Sequence, residues 1–297
     1  MRKRVSLVAV AAALVLSGPS ASAQTIPLDS VNVTDTTFRH SVRLQDGSTL
    51  IGRVLALTAD SVRVQLSAGT VVMPRTAVAE VRQFAAARMR NGEYWFENPH
   101  ATRLLFSSTA FPLEKGTGYY ANTWIVLHTF AAGLTDRFTL GGGLFWFPGV
   151  SIDNTLMYLL PKYTVVDAER GKLAVGALVG ILPLETLGDD GPWTAGILYG
   201  VGTTGSRDSN ASLGLGWGYA GDKLASNPVV MLGGQARASR RLSLISENWI
   251  FPVDGRTEGV LSGGLRFLGE GLTVDLAYLK PLQGEGWAPW VGFAFRF

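Results

Sequence analysis

Imidazole chemistry is confined to three histidines, His40, His100 and His128, and the 297 residues hold no cysteine for thiolate chemistry. The pairing with catalytic potential is His128 with Ser107 or Ser108, because a serine nucleophile needs a base within hydrogen-bond reach. Such a pair would make a lipid-modifying hydrolase. No hydrolase motif surrounds His128, however, and a polar-lumen or lipid-interface position accounts for it equally well. Dispersed histidines without a His-x-x-x-His or His-Glu cluster give no preformed metal site, and the missing cysteines exclude disulfides and a cysteine lipid anchor. Gly200-Val-Gly-Thr-Thr-Gly205 has the glycine spacing of a dinucleotide fingerprint. That fingerprint requires a following helix whose N-terminus faces the pyrophosphate, and Ser206–Asn210 leads into another alternating segment. The expectation is a non-enzymatic protein with no cofactor and no metal.

The remaining reactive side chains are charged or amide groups that recur on one face of alternating segments: Arg103, Lys162, Gln235, Arg237, Glu247, Glu258, Arg266, Asp275 and Arg296. Side chains on a strand alternate between faces. If these nine line a lumen, their mixed charge either closes it through ion pairs or lets small solutes pass. The opposite face is apolar. Leu213, Leu215, Trp217 and Tyr219 should point outward, as should Trp193, Ala195, Ile197 and Tyr199, and Leu272, Val274, Leu276 and Tyr278. Gly196, Gly200, Gly202, Gly214, Gly216 and Gly218 then fall inward, where they serve strand curvature and close packing or leave room for a ligand.

The elements that would position these residues are twelve strand-like segments: 101–110, 118–133, 137–147, 154–167, 172–184, 193–204, 208–219, 228–238, 241–251, 257–268, 271–281 and 288–297. Connections after even segments are mostly tight, as at Thr135-Asp136, Ser239-Arg240 and Gly269-Glu270. Those after odd segments are longer and richer in Pro, Gly and Asp: 112–117, 148–153, 185–192, 221–227, 252–256 and 283–287. No stretch beyond residue 23 has the 18 or so consecutive apolar residues of a membrane helix. Any membrane span must consist of strands.

The last residues, Pro289-Trp-Val-Gly-Phe-Ala-Phe-Arg-Phe297, place Val291, Phe293, Phe295 and Phe297 on one face and Trp290, Gly292, Ala294 and Arg296 on the other. The chain here resembles bacterial outer-membrane β-barrel proteins. Their C-terminal assembly signal is matched by Gly292, Phe295 and Phe297, though Trp290 stands where that signal has a polar residue. The resemblance implies outer-membrane lipid and the barrel assembly machinery as partners. Short turns then lie in the periplasm and long loops outside. An even number of strands returns both barrel ends to the periplasm.

At the other end, Arg2, Lys3 and Arg4, an apolar run from Val5 to Leu16 and the small-residue site Ala21-Ser22-Ala23 read as a secretory signal peptide, residues 1–23. It holds three of the 26 basic residues and none of the 23 acidic ones, so the mature chain is formally neutral. Nucleic-acid binding, which needs a concentrated positive patch, is excluded. With 16% charged residues, 10% aromatics and 36 glycines, the composition suits membrane strands.

Between a linker at 24–37 and another at 85–98, residues 38–84 show five short strands around Asp46-Gly47-Ser48, Ala59-Asp60-Ser61 and Gly69. The run of Asp-Gly-Ser, Leu-x-Gly-x-Val and Ser-Val-x-Val resembles the small barrels of Sm-like or SH3-like domains. It implies a periplasmic module that contacts a protein or the cell wall. The overall expectation is all-β: a small five-stranded Sm-like barrel, then an antiparallel transmembrane β-barrel of about twelve strands over 99–297. That barrel would be a structural element or a small-solute channel; a lipid-modifying enzyme and a secreted soluble β protein are the alternatives.

Overall fold

The computed structural model describes residues 24–149, 155–182, 193–253 and 256–297. The expected signal peptide, all of the expected connection 185–192 and parts of 148–153 and 252–256 lie outside them. The chain divides into two compact units, one ending at Glu97 and the other running over Asn98–Phe297.

Alternating Val and polar residues build the first unit, because every second side chain of a strand shares a face. Strands β1 (Gln24–Ile26), β2 (Phe38–Leu44), β3 (Thr49–Leu57), β4 (Ser61–Leu66), β5 (Gly69–Pro74) and β6 (Val78–Ala85) form one sheet in the order β1-β6-β2-β3-β4-β5. Val42, Val54, Val62, Val64, Met73 and Val81 are its core. The expectation of a closed five-stranded barrel is corrected to a six-stranded sheet: β1 adds against β6, and no pairing among the described residues joins β5 back to β6 or β1. Alternation reveals strands but not closure, and β1 has only three residues. Gly47 takes a φ of +86° at the β2–β3 turn, where the Asp46 carboxylate accepts bonds from the Ser48 amide and hydroxyl. Such a φ suits Gly because it has no Cβ to clash. The region 85–98, read as a linker, contains the hairpin β7 (Met89–Arg90) and β8 (Glu93–Tyr94), with the Tyr94 ring 4.1 Å from that of Phe84.

Twelve antiparallel strands make up the second unit: β9 (Gly118–Thr123), β10 (Leu127–Gly133), β11 (Phe138–Phe145), β12 (Leu156–Asp167), β13 (Gly171–Leu182), β14 (Trp193–Gly205), β15 (Ser209–Ala220), β17 (Val229–Ser239), β18 (Leu242–Val253), β19 (Arg256–Leu268), β20 (Leu272–Pro281) and β21 (Ala288–Arg296). A two-residue strand, β16 (Lys223–Leu224), folds back on β15. Pairing of β21 with β9 closes the sheet, Gly292 opposite Thr123 and Arg296 opposite Tyr119. Closure removes the exposed edges that an open sheet would present to lipid. Both ends of the barrel sequence meet at the rim of short turns, where Gly118 and Phe297 exchange backbone hydrogen bonds.

Two expectations about the strands fail in compensating ways. Segment 101–110 is no wall strand, and 118–133 is two strands, β9 and β10, so the count of twelve survives. The turn between these two places Trp124 at φ +53° and Ile125 at +71°. Positive φ is costly for bulky or β-branched residues, and a tight hairpin is usually marked by Asn or Gly. This one carries no such mark.

The exterior bears Phe130, Leu159, Val175, Leu198, Leu213 and Phe293, all exposed. An apolar band running round a closed antiparallel barrel belongs against hydrocarbon; on a protein in water it would far exceed a tolerable surface patch. Strand β15 presents Leu213, Leu215 and Trp217 outward, and β20 presents Leu272, Leu276 and Tyr278 outward, as expected. Strand β14 is the reverse of its expectation. Leu198 is the exposed residue, whereas Ile197, Tyr199 and Val201 border the interior cavity, and Ala195 shares their face. The side chain of Trp193 lies outside the described residues. Gly196, Gly200 and Gly202 therefore face outward and only Gly214, Gly216 and Gly218 inward. The reason is that this lumen is filled and partly apolar, so hydrophobicity no longer marks the outside.

Candidate functional site

Residues 98–117, ahead of the first strand, run inside the barrel as a strap. Asn98, His100, Ala101, Thr102, Arg103, Leu104 and Leu105 are buried, as are Thr109, Ala110, Phe111 and Leu113. Leu104, Leu105 and Ala110 pack on Ala174, Val201, Met231 and Ile245 of the wall. A segment without sheet pairing leaves backbone donors and acceptors to be satisfied some other way. Here the wall's inward side chains do so.

Lys162 of β12 donates to the carbonyls of Thr109 (2.9 Å) and Phe111 (2.8 Å). Thr164 donates to the Ala110 carbonyl, and the Ala110 amide donates to the Thr203 hydroxyl at 2.8 Å. The Leu113 amide reaches Thr139 at 3.2 Å. Glu247 of β18 caps the strap's tip: its carboxylate accepts from the amides of Phe106 (2.9 Å) and Ser107 (3.1 Å), the Ser107 hydroxyl (2.6 Å) and the Trp249 indole (2.7 Å).

Arg266 of β19, fully buried, donates from Nε to Asp275 Oδ1 at 2.6 Å and from Nη2 to Asp275 Oδ2 at 2.9 Å. It also donates to the carbonyls of Leu104 (2.7 Å), Arg103 (3.2 Å) and His100 (3.3 Å). The second Asp275 oxygen accepts from Arg103 at 3.0 Å. Burying charge is costly unless it is paired and hydrogen-bonded, and this cluster meets both conditions. Nearer the short-turn rim, Gln235 accepts from Asn98 at 2.9 Å, Arg237 pairs with Asp208 at 2.7 Å, and Arg296 pairs with Glu114 at 3.1 Å. Glu258 shares the inward face of Ser262 and Arg266, half-buried toward the opposite rim.

Of the nine expected lumen residues, eight stand on wall strands. Arg103 is the correction, since it belongs to the strap itself. The sequence reading missed the threonines Thr139, Thr164 and Thr203; their inward parity was their only signal. The Ser–His pair is not formed. His128 points outward beside Tyr120, whose hydroxyl is 2.8 Å from its Nδ1, whereas Ser107 lies inside the wall on Glu247. His100 is buried on the strap with its ring edge-on to Tyr119, and His40 accepts from the Val54 amide in the first unit.

Beyond the strap's tip, toward the long-connection rim, the lumen holds a cavity of about 90 Å³. Leu127, Leu160, Leu178, Ile197, Tyr199 and Trp249 line it, with Phe106 at its floor. A Cβ on Gly176 would stand 2.6 Å from the Tyr199 ring, so the glycine makes room for that inward tyrosine.

A closed antiparallel barrel with an apolar belt and a filled polar lumen defines the class of outer-membrane β-barrel proteins. No protein-family model and no curated protein matches the chain. Among solved structures it is similar to the KdgM porin, at 9% identity and a TM-score of 0.45, covering 61% of this chain and 99% of that one. It is also similar to outer-membrane-expressed OmpT of Vibrio cholerae, at 9% identity and 0.36, covering 88% and 95%. Salmonella typhi OmpF, in complex with daunomycin, gives 8% and 0.33, covering 88% and 95%. Likenesses this distant carry no argument about function, and the barrel rests on its own strand pairings.

Proposed function

We propose that the protein is a non-enzymatic small-solute channel of the outer membrane whose conductance is set by the 98–117 strap. The observation that carries this reading is the way the strap is held. It has two isolated bridges, Arg103 with Ser108 and Lys115 with Gly133, and a few bonds within itself; wall side chains grip the carbonyls and amides from Leu104 to Leu113 at eight further points. A constriction held by side chains can shift without breaking a sheet ladder. A purely structural barrel has no need of one.

In this reading the short-turn rim and the N-terminal unit face the periplasm, following the usual disposition of short turns in such barrels. The N-terminal unit is then an Sm-like interaction module whose partner is a periplasmic protein or the cell wall. Gly292, Phe295 and Phe297 are read by the barrel assembly machinery. A lipid hydrolase has no support, because the wall separates His128 from Ser107.

Planar-bilayer recording of the purified full chain tests the reading. The expected result is small, brief current steps that become several-fold larger and longer-lived in Glu247→Ala, which frees the strap's tip. Silence from both proteins, when each shows the heat-dependent gel shift of a folded barrel, overturns it.

A further inference from the structure

The inner surface changes character along the barrel axis. On the short-turn side it is polar and occupied. On the other side it is apolar and, among the described residues, open, and one side chain shows this most clearly: Phe106, at the strap's tip inside the barrel, is 41% exposed. An aromatic ring that ends a lumen segment and still meets no packing partner over that much of its surface faces a space meant for something else. Leu127, Leu160, Leu178, Ile197 and Trp249 surround the same space.

The geometry points to a binding site in this outer vestibule for one small apolar solute, a monocyclic hydrocarbon of benzene or toluene size. The inference deepens the channel reading by naming the class of solute. Lining chemistry argues first. Ligand sites are mostly apolar with a few placed polar groups, and here these are Arg103, Ser107, Ser108, Thr123 and Thr129; the Arg103 guanidinium is already engaged by Asp275 and by the Leu104 and Leu105 carbonyls. The Glu247 carboxylate behind the tip is likewise engaged by the strap's amides, the Ser107 hydroxyl and the Trp249 indole. A sugar or an ion would find few free hydrogen-bonding groups to replace its water.

Size argues second. Apolar cavities of roughly 150 Å³ stay dry and take up benzene. A space of about 90 Å³ beside a partly exposed phenyl ring suits a ligand of that order and not a whole lipid.

Access supplies a third argument. Strands β9, β10 and β11 have 6, 7 and 8 residues, fewer than the roughly 9–11 of a spanning strand. The wall is therefore low where the cavity reaches Thr123 and Leu127. The hairpin tip there carries Trp124 and Ile125, 42% and 78% exposed. An apolar solute dissolved in lipid can reach the vestibule over this low hairpin.

The test is equilibrium binding of radiolabelled toluene to proteoliposomes of the full chain, with protein-free liposomes giving the partition background. One saturable site per barrel is expected above that background. Leu178→Phe fills the space and should weaken the site about tenfold or more; Ile197→Phe fills it from the neighbouring strand. Leu198→Phe, on the lipid face, should leave binding unchanged. Each variant is first shown to be a barrel by its heat-dependent gel shift, and either filling variant suffices. Purely non-saturable uptake by the wild type, or a saturable site indifferent to both filling variants, overturns the inference. Binding is read without conductance, so a silent bilayer with toluene bound sinks the channel reading alone, and a conducting barrel without a toluene site sinks this inference alone.

Discussion

The two halves of the barrel's interior solve opposite problems. Toward the short turns, Lys162, Gln235, Glu247, Arg266 and Asp275 would be costly in a membrane protein if left unpaired. Lys162, Glu247 and Arg266 bond the backbone of the strap, and Gln235 and Asp275 accept from Arg266 and from the strap side chains Asn98 and Arg103. Toward the long connections, Leu160, Leu178, Ile197 and Trp249 have no such partner and enclose a cavity. The same wall strands supply both halves. β12 carries Lys162 and Leu160 two residues apart, and β18 carries Glu247 and Trp249 with the same spacing. Change of character along one inward face, rather than between faces, is what defines this lumen.

The largest effect should come from unbalancing the polar half. Arg266→Ala leaves Asp275 with Arg103 alone and removes three donations to strap carbonyls; loss of one partner from a buried charge cluster costs about 3–5 kcal/mol. The midpoint temperature of the gel shift should fall sharply, and an unchanged midpoint would mean that the cluster holds nothing. Lys162→Met keeps the length but removes two donors to the strap, with an expected loss of about 1.5–3 kcal/mol by the same measurement. In the apolar half, Leu178→Ala should cost less than a fully packed core leucine would, toward the lower end of about 2–5 kcal/mol, because the side chain already borders a cavity. A loss as large as that of Arg266→Ala would show that this half is as tightly packed as the other.

Since the chain has no cysteine, face assignments can be read by single introduced thiols. Leu198→Cys should react in native membranes with a maleimide carried on a phospholipid, too large to enter the cavity, and Ile197→Cys should not. The opposite pattern would restore the face suggested by hydrophobicity.

The smallest effect belongs to the N-terminal unit, where a buried polar group has a different fate. Burial lowers the pKa of His40, partly offset by a hydrogen bond with Gln83. The folded unit thus binds this proton less readily than the unfolded chain. Stability from the neutral imidazole is fully present above the unfolded value of about 6.5 and declines as pH falls below it, by at most about 1.4 kcal/mol per pH unit. Hydrogen exchange at the Val54 amide, corrected for intrinsic rate, should show that slope in the full chain and lose it in His40→Gln.

How far the sequence carried the fold depended on the physical source of each signal. Phe293, Phe295 and Phe297 announce a lipid face because nothing but alternation is needed to place them. Charged residues such as Lys162 and Arg266 stand out because a membrane strand has one tolerable side for them. The strap left no local trace: Ala101–Ala110 reads as another strand-like segment, and its partners lie on distant wall strands, from Thr139 and Lys162 to Thr203, Glu247 and Arg266. Once it fills the lumen, Ile197 and Tyr199 can be apolar and inward, so the rule that placed β15 correctly misplaced β14. The β9–β10 turn was hidden for a separate reason, since Trp124 and Ile125 bear none of the residue types that mark a positive φ.

The most direct test of the central claim, that the strap lies within the lumen against β14, is a disulfide between introduced cysteines. Ala110 and Thr203 meet through a 2.8 Å hydrogen bond, an approach compatible with the Cα separations of roughly 4.4–6.8 Å that disulfides require. Oxidation of the Ala110→Cys/Thr203→Cys chain in isolated outer membranes should yield the cross-linked peptide in mass spectra. The control, Ala110→Cys/Gly202→Cys, has its second thiol on the lipid face and should yield none. Equal cross-linking of the two chains, or no cross-link in a barrel that keeps its heat-dependent shift, would contradict the account.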